Sequence, residues 1–163
     1  MSRVVSIKRR KVKLNGSSTW FYEVKEPDIV TIIPMLDSDT LIVERQYRPA
    51  LGKYIYETPA GHIDKGETPA IAAARELEEE TGYRARSLKL VVRTYHSPGS
   101  SKTVNNYFVA KGLYKGRLHR DEHEVIRVKK MKVSAALKIL NGKGVHDTKT
   151  VISLLLLANK RRM

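Results

Sequence analysis

Apolar and polar positions along the chain predict a mixed β-sheet flanked by helices, an α/β fold. The β-branched run over residues 29–36 is typical of a buried strand, and a second apolar run over 40–46 follows after a short acidic turn. We expect these two runs to form neighbouring core strands. Further strands are predicted over 87–95, 104–110 and 125–128, and helices over 133–140 and from about 147 to 160.

Residues 1–26 predict a β-hairpin. A basic, partly alternating segment over 4–14 ends at Asn15-Gly16, and residues 19–24 supply the partner strand. Trp20 and Tyr22 lie in that second strand, where packing is the more common role of aromatic side chains and stacking on adenine is the alternative. The hairpin belongs either to the main sheet or to a dimer contact, and the sequence leaves both open. Because repeats and linker-like segments are absent, we expect one domain over 1–163.

The clearest helix begins after Thr68. Threonine is a common N-cap, Pro69 suits the first helical position, and Gly82 supplies a C-terminal stop. On a wheel of about 100° per residue, three glutamates of this helix share one face. Those carboxylates are Glu76, Glu79 and Glu80. The residues predicted to face the core are Ile71, Ala74 and Leu77.

Carboxylates crowded on one face repel each other, so something positive must offset them. Arg75 lies one turn before Glu79 and is predicted to neutralise it by an i, i+4 pair, which leaves Glu76 and Glu80 free. Those two present hard oxygen ligands of the kind that Mg²⁺ prefers. The alternative is an ordinary solvated acidic face, since acidic surface helices are common.

Composition is ordinary for a globular protein, with 41% hydrophobic and 29% charged residues. The chain contains no cysteine, which excludes disulfides and thiolate chemistry. No long apolar run or signal-peptide pattern occurs, so we expect a cytoplasmic protein with no membrane partner.

The formal net charge of +14 is unusual. Basic clusters lie at 3–13, 129–132 and 160–162. Solvated basic surface is the simplest interpretation, and attraction of an anionic substrate is a second. Nucleic-acid binding is a third possibility, disfavoured because no nucleic-acid-binding motif accompanies the charge.

A glycine-framed loop before the helix changes the interpretation of the acidic face. Gly61, Glu67, Arg75-Glu76-Leu77, Glu79-Glu80 and Gly82-Tyr83 resemble the Nudix box at every defined position. The surrounding segments Gln46-Tyr47-Arg48-Pro49, Glu57-Thr58-Pro59-Ala60-Gly61 and Ser97-Pro98-Gly99 are similar to those of the ADP-ribose pyrophosphatase branch. The resemblance implies the α/β/α sandwich of the Nudix fold.

The resemblance also implies roles for individual residues. Metal ions would be held by Glu76, Glu79, Glu80 and the backbone carbonyl of Ala60. Glu79 and Glu80 belong to the catalytic set, while Gly61, Glu67, Arg75 and Gly82 are structural. The residues expected to bind substrate are Arg48, Trp20, Tyr22, Pro98 and Gly99. His62 and His96 lie near this site in the sequence and are expected to be incidental.

The catalytic base of this branch often comes from a loop after the box. Residues 121–128 resemble that loop, which makes Glu122 the expected base and Glu124 a further metal ligand; an ordinary polar turn is the alternative. One departure stands out: Thr103 occupies a position where many relatives carry an acid. If that acid were essential, activity or specificity would differ.

The implied reaction is hydrolysis of ADP-ribose to AMP and ribose 5-phosphate, with two or three Mg²⁺ or Mn²⁺ ions activating water and neutralising charge. Other nucleoside diphosphate compounds, such as dinucleoside polyphosphates, nicotinamide dinucleotides or oxidised nucleotides, are alternative substrates. A domain that only binds ADP-ribose or nucleic acid is the alternative of a different class. The resemblance further implies a homodimer formed through the N-terminal strands.

Overall fold

A computed structural model describes residues 5–117, 125–140, 144 and 146–159. The elements, in chain order, are β1 (Ser6–Leu14), β2 (Ser17–Lys25), β3 (Ile29–Pro34), β4 (Thr40–Arg48), β5 (Lys53–Glu57), β6 (Ala60–His62), α1 (Pro69–Thr81), β7 (Tyr83–Tyr95), β8 (Val104–Lys115), β9 (Ile126–Lys132), α2 (Val133–Leu140) and α3 (Thr148–Ala158).

A four-stranded mixed sheet forms the centre of the fold, in the order β6-β3-β8-β7. Strand β3 runs parallel to β8 and antiparallel to β6, and β7 is antiparallel to β8. Every residue of β3 is buried, as its β-branched sequence predicts. The prediction of a mixed sheet flanked by helices is confirmed.

The prediction that the runs over 29–36 and 40–46 are neighbouring strands is wrong. Strand β4 pairs with β5 and β9 in a separate antiparallel sheet of three strands. The two runs are joined near their turn by a bridge between Met35 and Leu41, and their side chains share one core cluster. Both sides of β3 are already occupied by β6 and β8, so β4 must diverge. An apolar run indicates burial, and it does not specify the pairing partner.

Helices cover both faces of the central sheet. On one face, Ala72, Ala73 and Leu77 of α1 pack against Val30 and Ile32 of β3. On the other face, α2 and α3 pack with β4 in a second cluster. This arrangement is the expected α/β/α sandwich. Within the described part of the chain, no helix is long and apolar enough to span a membrane.

The ends of α1 are as predicted. Thr68 Oγ1 accepts a hydrogen bond from the Ile71 N–H at 3.3 Å, and Pro69 opens the helix. Gly82 ends it in the left-handed region, with φ of 71°.

The predicted core face of α1 is partly wrong. Ile71 is 56% exposed and Ala74 is also exposed, while Leu77 is buried as expected. The buried residues of α1 are Ala72, Ala73, Glu76, Leu77, Glu80 and Thr81. Two carboxylates therefore lie on the side that packs against the sheet. Apolar pattern alone misplaces such a face, because hydrogen-bonded charged groups occupy positions that hydrophobic residues would otherwise fill.

The N-terminal hairpin is confirmed, with Asn15 and Gly16 both at positive φ, 49° and 83°. It forms a two-stranded sheet of its own rather than joining the central sheet. The Val24 N–H donates to the Ser100 carbonyl at 2.8 Å and thereby ties the hairpin to the loop before β8. Trp20 and Tyr22 lie on its outer face, 51% and 56% exposed.

Two short strands, β5 and β6, were not predicted, and β7 begins four residues earlier than the sequence indicated. Strand β6 has only three residues and directly follows Pro59, so it carries too little pattern to detect. Strand β6 contains Gly61, at which the glycine-framed loop before α1 begins.

Candidate active site

Strand β6 passes against the carboxylate of Glu76. A Cβ built on Gly61 would lie 2.0 Å from both Cδ and Oε1 of Glu76. No side chain fits there without displacing the carboxylate, because real Cβ contacts are never that short. The glycine at this position is therefore required by space, since its φ is not positive.

Ala60 contacts the second buried carboxylate. Its N–H donates to Glu80 Oε2 at 3.0 Å. The bonds from the Ile32 N–H to the Pro59 carbonyl and from the Ile63 N–H to the Asp28 carbonyl fix the alternation along β6. By that alternation, the N–H and carbonyl of Ala60 both point away from β3. The Ala60 carbonyl therefore lies at the same edge of β6 as the Ala60 N–H that donates to Glu80.

Arg75 connects the loop to the acidic helix face. Its guanidinium donates to both carboxylate oxygens of Glu67, at 2.8 and 2.9 Å, and to the His62 carbonyl at 3.0 Å. Its Nη1 donates to Glu76 Oε1 at 2.8 Å and to Glu79 Oε2 at 3.0 Å. The i, i+4 pair with Glu79 is confirmed.

The expectation that this pair leaves Glu76 and Glu80 free is wrong, since Arg75 also binds Glu76 and Ala60 binds Glu80. Arginine has five donors in a planar fork, so one guanidinium can hold several carboxylates.

The network shifts the acid–base equilibria of its members. Hydrogen bonds from Arg75 lower the pKa of Glu67 to about 2, against the opposing effect of burial. The same bonds, those to Glu67 first, raise the pKa of Arg75 above its usual value. Both groups are therefore charged near neutral pH.

Arg48 at the end of β4 forms a bidentate pair with Glu57 at the end of β5. Arg48 Nε and Nη2 lie 2.5 and 2.6 Å from the two Glu57 oxygens, and the Glu57 side chain is 2% exposed. These bonds raise the pKa of Arg48 despite its burial, and the charges of Asp147 and Glu80 contribute. Arg48 therefore lies within electrostatic reach of the acidic helix face.

Lys149 of α3 reaches the same region, which the sequence did not indicate. Its Nζ lies 2.6 Å from Asp147 Oδ1 and 3.5 Å from Glu57 Oε2. Burial would raise the pKa of Asp147, but the Lys149 charge and hydrogen bonds from Lys149 and Thr150 bring the pKa below its usual value. In the sequence, the segment Asp147-Thr148-Lys149-Thr150 at the predicted helix start is the available signal, and it indicates only an N-cap.

A cavity of about 240 Å³ brings these groups together. Its lining residues include Arg48, Ala60, Gly61, Glu80 and Lys149. His62 and His96, expected to be incidental, also line it. Two polar residues from the first half of the chain, Glu26 and Gln46, also line the cavity and were not predicted as site residues.

Four predicted substrate-binding residues lie outside this cavity in the described chain. Trp20 and Tyr22 are on the outer face of the hairpin, where the Arg9 guanidinium lies 3.7 Å from the Trp20 ring centre. Pro98 and Gly99 lie in an exposed turn closed by a bond from the Ser101 N–H to the Ser97 carbonyl at 2.7 Å. Their roles stay predictions.

Thr103, where many relatives carry an acid, has a structural environment here. It is 2% exposed, and its hydroxyl lies 2.7 Å from that of Ser101 and 3.4 Å from the Glu26 carbonyl. A carboxylate at this position would be buried against a carbonyl oxygen, which is unfavourable.

Glu122 and Glu124 lie outside the described residues. The residue that follows them, Val125, accepts a hydrogen bond from the Tyr47 N–H at 3.2 Å. This bond places Val125, within the predicted loop over 121–128, beside the strand residue that precedes Arg48.

The donors at this site suit a hard divalent cation. The carboxylates of Glu76 and Glu80 both lie against β6, at the strand edge that also presents the Ala60 carbonyl. Oxygen ligands of this type bind Mg²⁺ and Mn²⁺. Among residues 5–117, 125–140, 144 and 146–159, no three acidic or histidine side chains are grouped closely enough to hold a metal ion by themselves. The ion pairs of Arg75 with Glu76 and Glu79, at 2.8 and 3.0 Å, hold these two carboxylates at the site.

Strand β6 contacts two carboxylates of α1, and Arg75 links the intervening loop to the same helix. The chain belongs to the Nudix hydrolase family, because the protein-family model described as the NUDIX domain matches residues 25–155.

Particular relatives extend over nearly the whole chain. An ADP-ribose pyrophosphatase from Bacillus subtilis (strain 168) is 34% identical over 155 residues, which cover 93% of this chain and 84% of that protein. A methanol dehydrogenase activator from Bacillus methanolicus is 36% identical with the same coverage. A crystal structure of an ADP compounds hydrolase superposes with a TM-score of 0.85 at 27% identity, covering 99% of this chain and 88% of that one.

Proposed function

We propose that the protein hydrolyses the pyrophosphate bond of ADP-ribose to AMP and ribose 5-phosphate, with Mg²⁺ or Mn²⁺ as cofactor. The observation that carries this proposal is the convergence of Glu76 and Glu80 with β6 beside the cavity lined by Arg48. Similarity to an ADP-ribose pyrophosphatase over 93% of the chain supports ADP-ribose as the substrate.

We assign the metal-binding positions to Glu76, Glu79, Glu80 and the Ala60 carbonyl, with Glu124 as a further ligand. Two or three divalent ions bound there would neutralise phosphate charge and acidify a water molecule. The short contact between Gly61 and Glu76 keeps that carboxylate at the strand edge, and the Arg75 bonds fix the rotamers of Glu76 and Glu79. Gly61, Glu67, Arg75 and Gly82 therefore act as positioning residues.

The reaction needs a base and a phosphate-binding group. Glu122 takes a proton from water, the water oxygen forms a bond to one phosphorus, and the bridging P–O bond breaks. The leaving phosphate departs as AMP or ribose 5-phosphate. Glu79 and Glu80 would complete the catalytic set by holding the divalent ion that supplies Lewis acidity. Arg48 retains N–H donors beyond those that bind Glu57, and these contact a phosphate oxygen.

Aromatic and loop residues would hold the rest of the substrate. We assign adenine stacking to Trp20 and Tyr22 and a ribose-facing loop to Pro98 and Gly99. Because the hairpin aromatics lie outside the cavity of their own chain, this role requires a homodimer in which one hairpin reaches the partner's site. We further propose that the protein works in the cytoplasm, which is consistent with its lack of cysteine.

The test is a panel assay on the purified chain. ADP-ribose, NADH, diadenosine polyphosphates and oxidised nucleoside triphosphates are each incubated with Mg²⁺, with Mn²⁺ and with excess chelator, and products are separated by chromatography. We expect AMP and ribose 5-phosphate from ADP-ribose, only with metal, at a kcat/KM above that of the other compounds.

If another compound is turned over faster than ADP-ribose, that compound is the preferred substrate and the chain is still a Nudix hydrolase. The similarity to an ADP compounds hydrolase is compatible with that outcome. Binding of ADP-ribose or nucleic acid without any turnover would favour the non-catalytic alternative.

A further inference from the structure

Lys149 is a cation at the wall of the candidate active site that the assigned roles do not use. Its side chain is 15% exposed, and it lines the same cavity as Arg48 and Glu80. A lysine this buried loses favourable hydration, so it is stable only with acceptors and charges around it.

The position of Lys149 is fixed by the packing of α3 against the end of β5. The Thr58 N–H donates to Thr150 Oγ1 at 3.0 Å, and Thr150 Oγ1 in turn donates to Asp147 Oδ2 at 2.8 Å. The Ser153 hydroxyl donates to the Lys149 carbonyl at 2.8 Å. These bonds hold the first turn of α3, and with it the Lys149 backbone, at the cavity.

One carboxylate links the two cations of the cavity. Glu57 accepts two hydrogen bonds from Arg48 and also lies 3.5 Å from Lys149 Nζ. Asp147 supplies the second acceptor of Lys149 at 2.6 Å. Two positive and two negative charges therefore balance in this group, and the shared Glu57 sets the two cations side by side.

Counted over residues 5–117, 125–140, 144 and 146–159, both cations have more N–H donors than carboxylate partners. The ammonium of Lys149 has three N–H groups for two carboxylate partners, and the guanidinium of Arg48 has five for one bidentate partner. Nearby α1 carries the negative charges of Glu76, Glu79 and Glu80, which repel an incoming diphosphate. Lys149 lines the same cavity as Glu80, so its ammonium reduces the repulsion that these carboxylates exert on an incoming diphosphate.

We propose that Lys149 is a second phosphate-binding residue, which contacts the diphosphate of the substrate next to Arg48 and is held there by Glu57 and Asp147. This inference rests on the proposed function in that it concerns the same cavity and a diphosphate substrate. The alternative is that Lys149 only stabilises the start of α3 through Asp147.

The test measures both binding and turnover. An ADP-ribose analogue in which a methylene group replaces the bridging oxygen is titrated by calorimetry with Mg²⁺ into the wild type and into Lys149→Met. We expect about 10- to 100-fold weaker binding in the variant, the size expected for one lost hydrogen bond to a charged group. Lys149→Arg should recover most of the affinity because it keeps the charge.

Two further variants separate substrate contact from a structural role. Asp147→Asn keeps the helix cap, because asparagine is as good an N-cap, but removes the ion pair with Lys149. If Lys149 contacts phosphate, Asp147→Asn should bind the analogue within about threefold of wild type, since the cation remains. Lys132→Met is the matched control, since Lys132 pairs with Asp39 at 3.4 Å and does not line the cavity.

Equal losses of affinity in Lys149→Met and Asp147→Asn would overturn the inference, as would wild-type affinity in Lys149→Met or no binding by the wild type. If the wild type binds the analogue but does not turn over ADP-ribose, the proposed function fails while the binding series still tests Lys149. Thermal unfolding of each variant identifies losses caused by misfolding, and Lys149→Arg then serves as the folded comparison.

Discussion

Gly61 lies so close to Glu76 that a methyl group on Gly61 would overlap the Glu76 carboxylate. This contact makes a backbone position part of the acidic site, and its consequence is testable without removing any charged group.

Gly61→Ala should lower kcat by about 100-fold or more, because the Glu76 carboxylate must move out of place and small displacements at a reacting centre have costs of this size. The matched control is Gly144→Ala, whose new Cβ would lie at an ordinary contact distance of 3.5 Å from His146. Steady-state turnover of ADP-ribose by both variants checks this. Full activity in Gly61→Ala would contradict the placement of Glu76.

Glu80→Gln should reduce kcat by about 100-fold or more with the fold intact, because the change removes a negative charge that holds a divalent cation. Glu78→Gln is the control on the same helix, since Glu78 pairs with Arg84 at 2.7 Å, away from the cavity. We expect that control to stay within about twofold of wild-type turnover. Kinetics and circular dichroism of both variants provide the measurement, and near-normal turnover in Glu80→Gln would disprove the metal assignment.

The lowered pKa of Glu67 predicts a pH-dependent contribution to stability. The folded pKa of about 2 lies below the unfolded value near 4.3, so the stabilisation by Glu67 is complete above about pH 5. It is lost as the pH falls from about 5 towards 2. At pH 7, Glu67→Gln should lower the free energy of unfolding by about 1–2 kcal/mol, and that difference should shrink steadily on acidification.

Urea unfolding of wild type and Glu67→Gln at pH 7, 4 and 3 tests this dependence. Asp64→Asn is the control, because Asp64 is 65% exposed and lies 3.8 Å from Arg75. Its effect should stay below about 0.5 kcal/mol. A Glu67→Gln difference that does not change with pH would be inconsistent with the Arg75–Glu67 bond.

The exposed aromatics of the hairpin predict the assembly state. If Trp20 and Tyr22 lie at a dimer interface, the double substitution Trp20→Ala with Tyr22→Ala should weaken dimerisation by about 30-fold or more, as expected for interface aromatics. Sedimentation velocity over a concentration series measures this. Tyr114→Ala is the control, because Tyr114 is an exposed tyrosine on β8. A wild type that sediments as a monomer at every concentration would exclude the proposed dimer.

The sequence by itself determined the family, the α1 boundaries and the acidic set. Threonine, proline and glycine at the ends of α1 act through local backbone preferences, so their effects are visible without the fold. The spacing of Arg75 and Glu79 likewise fixed their i, i+4 bond. Local rules of this kind depend on neighbours within one turn.

Tertiary structure decided the rest, because it depends on contacts between distant parts of the chain. The predicted core residue Ile71 proved exposed, since α1 turns Glu76 and Glu80 towards β6. Glu57 and Lys149 are 92 positions apart and meet only when α3 packs on β5. Sequence periodicity does not predict such a contact. The hydrophobic pattern specifies which faces are buried, and it does not specify which charged groups those faces bring together.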